Sequence, residues 1–251
     1  MRILDVGSYN VDGSLRDFKP ESWEFIGADL EAGPGVDVLM EAPDRLPFAD
    51  DDFDAVISSS TYERAAHFWM LLLETVRVTR PGGYIYINAP SNGAFRQFPL
   101  DYWRFYPDAG LAFVDWVRKN GQPLCLIESG IAGQDGEAWS DFIAVLQKSE
   151  NPSSDKPFMT AAAGYEFRNI RRFGHDGLID PAPETEDQAR LRVLEAGIAE
   201  RDACLLDLEQ QLAAARSRLA HAERMLGSPR RLLTAAMKRL VPAPFRISAR
   251  R

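Results

Sequence analysis

Cysteine and histidine are scarce in this chain, two of one and three of the other in 251 residues. Cys125 and Cys204 lie far apart in segments of different pattern, which predicts separate thiols rather than a disulfide and suits a reducing cytoplasm. His67, His175 and His221 show no metal-ligand spacing, so no metal site is expected. No run of about eighteen apolar residues occurs, which excludes a membrane-spanning helix. The N-terminal residues enter a strand pattern at once, with no apolar core of a signal peptide, so the expected location is cytoplasmic. Basic charge is also missing from most of the chain. The net charge is −8, yet residues 228–251 hold seven Lys/Arg and no acid, leaving about −15 on the rest. An acidic body of this kind is not expected to bind nucleic acid.

What is present is a chain 45% hydrophobic, enough to bury one large core. Strand patterns over 2–6, 24–28, 36–39, 53–58, 84–89, 124–130 and 141–147 alternate with helical spacing over 66–80 and 108–120. That alternation predicts an α/β fold with a mostly parallel seven-stranded sheet and helices on both faces. The expected organisation is a domain over 1–148, then a linker over 149–187. The linker is rich in Pro, Ser and Asp around one short docked element at 165–173. From 188 to 227 apolar residues recur every seven positions: Leu191, Ile198, Leu205, Leu212, Leu219 and Leu226. A second seam runs through Leu194, Arg201, Leu208, Ala215 and Ala222. This spacing predicts an α-helical coiled coil that makes the protein a homo-oligomer; the alternative is one amphipathic helix laid on the domain. Residues 228–251 read as a basic amphipathic tail. It suits peripheral contact with an anionic membrane, as at the inner membrane, or simple solvation.

The first strand, Ile3-Leu4-Asp5-Val6, ends at Gly7-Ser8, and the second ends at Asp29. An open parallel sheet uses a glycine turn after its first strand to let backbone approach an adenosine cofactor, and an acid after its second to bind ribose hydroxyls. A dinucleotide enzyme needs G-x-G-x-x-G there. Only Gly7 stands at this turn, followed by Ser8-Tyr9-Asn10-Val11-Asp12-Gly13, with no nest for a pyrophosphate and no basic residue to neutralise one. Asp5 and Asp12 favour a cationic ligand instead, such as the sulfonium of S-adenosylmethionine (SAM). The segment 88–108 follows the fifth strand at the sheet edge where ligands bind, and it gathers Arg96, Asp101, Tyr102, Trp103, Arg104, Phe105 and Tyr106. Aromatic faces there can stack on sugar rings while Asp and Arg bind hydroxyls; equally, Trp103 and Phe105 can anchor the loop in the core.

Over about residues 2–148 the chain resembles the class I SAM-dependent methyltransferases, and more narrowly a bacterial group found among polysaccharide and other glycan-modifying proteins. The resemblance is carried by LDVGS, GADLEAGPGVDV, LPFADDDFDAVISSS, FWMLLLETVRVTRPGGYIYINAPSNG and FPLDYWRFYPDAG. It implies a Rossmann-like fold and a methyltransferase of a glycan or glycan precursor. Carried over by position, it gives Asp5 and Gly7 to the methionine end of SAM, Asp29 to the ribose and Leu30 to the adenine ring. Glu41 falls near the acid that meets the adenine amino group, with Asp44 a rival. Ser58 and Ser59 face the transferred methyl. Relatives often carry Glu-His after the fourth strand, whereas here Glu63 is followed by Arg64. His67 is the nearest candidate base, although in-line displacement at a sulfonium can proceed by positioning alone. Asp101 and Arg104 complete the candidate catalytic set. A non-catalytic scaffold that assembles partners through the coiled coil is the alternative function.

Overall fold

A computed structural model describes residues 1–11, 13–97, 99–133, 140–152, 166–227 and 229–240. Asp12, Phe98, residues 153–165 of the expected linker and 241–251 of the expected tail lie outside the described residues. The strands are β1 (Arg2–Val6), β2 (Glu24–Asp29), β3 (Val38–Leu39), β4 (Phe53–Ser59), β5 (Thr79–Pro90), β6 (Cys125–Gly133), β7 (Ser140–Gln147) and β8 (Phe167–Arg172). The helices are α1 (Phe68–Val78), α2 (Ala109–Lys119), α3 (Glu186–Leu226) and α4 (Pro229–Leu240).

The strands form one sheet in the order β3-β2-β1-β4-β5-β7-β6-β8. Neighbours run parallel from β3 to β5, while β7 is antiparallel to both β5 and β6, and β8 to β6. The order reverses at β1, which places a topological switch point between β1 and β4. The Rossmann-like α/β fold is therefore present, with eight strands rather than the expected seven. The eighth comes from the aromatic-basic patch: Phe167–Arg172 pairs with β6 from Ala132 to Glu128.

Both helices of this unit pack on one face. Alternation along each strand sends Leu4, Val6, Val56, Ile85, Ile87, Leu124 and Leu146 to that face. There they meet Leu71, Leu72 and Val76 of α1 and Phe113 and Val117 of α2 in one buried cluster. The opposite face carries a smaller cluster of Ile127, Ile143 and Val145, with Tyr84, Tyr86 and Phe167 against it. A helix was expected on each face. Between β1 and β2, however, the described residues hold only the 3-10 turn Leu15–Phe18, whose Arg16 lies 5.2 Å from the Phe25 ring. The 66–80 helix is shorter than its pattern. Thr79 opens β5, and its hydroxyl donates to the Thr75 carbonyl at 2.7 Å, because Pro81 lacks the N–H another turn needs.

The chain divides into Met1–Ala189 and Arg190–Arg251. In the second unit Leu191, Leu194, Ile198, Leu205, Leu208, Leu212 and Leu219 of the long helix are each at least 52% exposed. Among the described residues no helix is long and apolar enough to cross a membrane.

Candidate functional site

The turn after β1 is built against β4 and the loop after β2. Gly7 has φ +80°, and a Cβ there would meet the Thr61 hydroxyl oxygen at 1.8 Å. That hydroxyl is fixed by the Val6 and Ser59 carbonyls, at 3.2 and 3.1 Å. A Cβ on Gly33 would meet the Tyr9 ring at 2.2 Å, and the Asn10 N–H donates to the Pro34 carbonyl at 2.8 Å. The two turns thus interlock without the second glycine of the usual pattern.

Asp29, at the C-terminal end of β2, is half-buried and accepts three backbone N–H groups. Tyr9 donates to Oδ2 at 3.0 Å, while Leu30 and Glu31 donate to Oδ1 at 2.7 and 3.2 Å. Oδ2 therefore keeps acceptor capacity for a ribose hydroxyl. Leu30, 50% exposed, supplies an apolar surface beside it. Ser59 is exposed at the end of β4, and Ser58 is buried with its hydroxyl donating to the Val6 carbonyl at 2.9 Å. Glu41 is exposed just before the turn closed by the Ala42–Arg45 bridge, and Asp44 is half-buried within it.

Asp5 lies on the face away from α1 and α2, because Leu4 and Val6 on either side of it enter the helix-covered cluster. Its carboxyl is buried, and burial pushes its pKa up to about 6, with Arg16 opposing the rise and Asp29 adding to it. Arg16 folds back from the 3-10 turn to pair with Asp37, which also accepts the Gly27 N–H at 2.8 Å. No basic residue stands in the turn itself; Arg16, three residues beyond Gly13, reaches Asp37, the Gly35 carbonyl and the Phe25 ring, and nothing in the local sequence signals this.

At the C-terminal edge of β4 and β5 lies a small cavity of about 60 Å³, lined mainly by polar side chains including Ser60, Glu63, Asn92, Asp101 and Arg104. Ser60 sits in the left-handed region at φ +53°, an uncommon conformation for serine, with its N–H held by the Asn88 carbonyl at 3.0 Å. Asp101 and Arg104 form a two-pronged pair at 2.5 and 2.7 Å. Arg104 also donates to the Trp103 and Ala94 carbonyls at 2.8 Å each, and Asp101 accepts the Arg96 N–H at 2.8 Å. Both side chains hold the 94–104 loop closed, and the guanidinium keeps Asp101 below the usual carboxylate range.

Glu63 was passed over in the sequence as half of an incomplete Glu-His pair. It is 3% exposed, in the 3-10 turn after β4, and burial raises its carboxyl to about 7 against the opposing pull of its own backbone N–H and of Arg64. His67 is exposed at the N-cap of α1, its ring 5.4 Å from Trp69, and it does not line the cavity. Trp103 and Phe105 are anchors. The indole N–H donates to the Ala65 carbonyl at 3.0 Å, and Phe105 packs among Phe68, Phe113 and Phe142. Tyr102 and Tyr106 remain exposed.

Residues 16–87 match the family described as a methyltransferase domain. A demethylmenaquinone methyltransferase of Mycobacterium marinum is 29% identical over 153 residues, covering 59% of this chain and 64% of that protein. The phthiotriol/phenolphthiotriol dimycocerosates methyltransferase 1 of Mycobacterium ulcerans is 41% identical over 107 residues, covering 36% of this chain and 39% of its own. The chain thus spans less than two thirds of the length of either relative. Among solved structures, the 1,6-didemethyltoxoflavin-N1-methyltransferase of Burkholderia thailandensis, with S-adenosylhomocysteine bound, aligns with a TM-score of 0.48 at 13% identity, over 59% of this chain and 71% of that one. The match to a methyltransferase domain thus covers residues 16–87, within a Rossmann-like sheet that reverses order at β1.

Proposed function

We propose that the protein transfers a methyl group from SAM to a hydroxyl of a glycan or glycan precursor in cell-envelope polysaccharide assembly. The observation that carries this reading is the cavity lined by Ser60, Glu63, Asn92, Asp101 and Arg104 at the edge where such a sheet presents its ligand side. An apolar ring system such as a quinone would leave the buried Glu63 Oε2 without a partner, a cost of roughly 1–3 kcal/mol. A hydroxylated acceptor supplies that partner. Exposed Tyr102 and Tyr106 stand on the same loop with faces suited to sugar rings.

The residues at the end of β2 fit the cofactor. Asp29 Oδ2 has capacity for a ribose hydroxyl, and Leu30 offers an apolar face for adenine. The bound cofactor supplies an electrophilic methyl on a sulfonium. Gly7 would let the β1 turn come close to it, Ser59 would stand toward its methyl, and Asp5 would add negative character behind the turn. The heptads of α3 would join copies of the chain, and α4 would bring them to an anionic membrane carrying lipid-linked acceptors. A second reading, a scaffold without turnover, rests on the three N–H groups already bound to Asp29.

Incubating the protein with methyl-labelled SAM and a panel of cell-envelope glycan intermediates separates the readings. Label in a glycan fraction, released by mild acid as an O-methyl sugar, is the expected result. SAM binding in calorimetry with no label in any fraction would favour the scaffold, and label in a quinone fraction would replace the glycan.

A further inference from the structure

Glu63 combines features that the cofactor end does not use. It lines the cavity, its side chain is 4% exposed, and its Oε2 is buried with no hydrogen-bond partner. Its Oε1 has one loose contact, with Arg64 Nε at 3.4 Å. An unpartnered buried carboxylate oxygen costs stability, so such groups persist where something else gains from them. The backbone holds it firmly, since the Glu63 carbonyl accepts the Tyr102 and Trp103 N–H groups at 2.8 and 3.1 Å. Through these bonds the 3-10 turn after β4 and the loop carrying Asp101 and Arg104 act as one wall. We propose that Glu63 is the catalytic proton acceptor for the acceptor hydroxyl, taking its proton as the methyl arrives. This rests on the methyl-transfer reading above.

The step balances. The hydroxyl oxygen forms the new O–C bond as the C–S bond breaks, and the bond pair stays on sulfur as a thioether. The hydroxyl proton passes to Glu63, which becomes neutral. Only the unprotonated carboxylate can act, so its raised affinity for a proton makes it a stronger base near neutral pH than an ordinary glutamate. The charged groups around it are Arg64 on its own turn, Arg96, Asp101 and Arg104 on the loop, and Asp141 on β7. Asp101 and Arg104 cancel each other, so they position the wall instead of competing for the proton.

The test uses the full chain, labelled SAM, and methyl glycosides of hexoses and 6-deoxyhexoses, free and lipid-linked. Glu63→Gln is expected to leave SAM affinity by calorimetry within about twofold while lowering kcat about 100-fold or more. In the unaltered protein kcat rises with pH to a plateau above about 7, and Glu63→Gln loses that limb. Glu63→Asp, which keeps a carboxylate, retains a displaced limb. Infrared difference spectra taken across the same pH range show a protonated carboxyl band titrating near 7, absent in Glu63→Gln. Full turnover by Glu63→Gln, or a carboxyl band titrating at ordinary glutamate values, overturns the assignment and leaves methyl transfer standing. SAM binding with label reaching none of the glycosides overturns the hydroxyl acceptor. Absence of SAM binding in the unaltered protein overturns the methyl-transfer reading, and this inference with it.

Discussion

Asp29 and Gly7 occupy the same few ångströms but respond to substitution in different ways. Asp29 has three N–H donors and room for a ribose hydroxyl, so Asp29→Ala removes a ligand contact and loosens both turns. Hydrogen bonds to a charged group contribute about 1.5–3 kcal/mol, which corresponds to SAM affinity weaker by about 10- to 150-fold in calorimetry. Gly7→Ala fails twice over, because φ is +80° and Thr61 fills the space. It should lower stability by about 2 kcal/mol or more, read as the midpoint of thermal melting. Adding Thr61→Ala relieves the clash but not the dihedral, so only part of the loss returns. Asp5 makes a third case. Its folded pKa, about 6, lies above the ordinary carboxylate value, so between about pH 4 and 6 the folded state binds more protons than the unfolded one. Stability therefore falls as pH rises through that window, by up to about 3 kcal/mol for this group. Asp5→Asn should flatten that part of the profile in urea melts at a series of pH values, and raise stability at pH 7.

At the scale of elements, what the sequence made legible follows from burial. Strands β1, β2, β4 and β7 were readable within two residues because their apolar alternation is set by a core on one side. β5 was misjudged at its start, since Pro81-Gly82-Gly83 reads as a turn yet lies inside the strand, where the register with β4 shifts between Phe53 and Ala55. The missing helix between β1 and β2 had no local signal. Only the return of Arg16 to Asp37 and Phe25 shows how that side of the sheet is covered without one. Aromatic identity was ambiguous for the same reason. Trp103 and Phe105 differ from Tyr102 and Tyr106 by loop geometry, which alternates them inward and outward. Glu63 is hidden because its importance lies in burial and in one carboxylate oxygen without a partner, neither of which a residue string displays. The long α3 row is a different kind of prediction. Seven large apolar side chains at least half exposed along one helix are costly in water, at about 25 cal/mol per Å². A second copy of the helix would cover them. Leu205→Asp with Leu212→Asp should shift the full chain to monomer in sedimentation velocity, with near-unchanged melting of the α/β unit.

At the scale of the whole molecule, the chain divides after Ala189, and the proposed reading assigns chemistry to the first unit and placement to the second. All residues assigned here to cofactor and acceptor lie in Met1–Ala189, and the heptads and the basic helix lie in Arg190–Arg251. Asp187, the second residue of α3 and part of the first unit, accepts the Asn92 side-chain amide at 2.9 Å. Pro229–Leu240 carries Arg230, Arg231, Lys238 and Arg239 with Leu232, Leu233 and Met237 exposed among them. Each cation near an anionic surface contributes about 1 kcal/mol and exposed apolar residues add insertion energy, so the proposed membrane role predicts reversible binding to anionic vesicles. Removing residues 190–251 should then leave SAM affinity unchanged, along with the rate on a freely soluble glycoside. On a lipid-linked glycoside in anionic vesicles the same truncation should lower the rate several-fold, and co-sedimentation with those vesicles should vanish. Neutral vesicles should show little difference between the two forms, and raising salt should erase the advantage of the full chain, since the attraction is screened beyond about 10 Å. Equal rates on vesicle-bound acceptor for both forms would confine the second unit to oligomerisation.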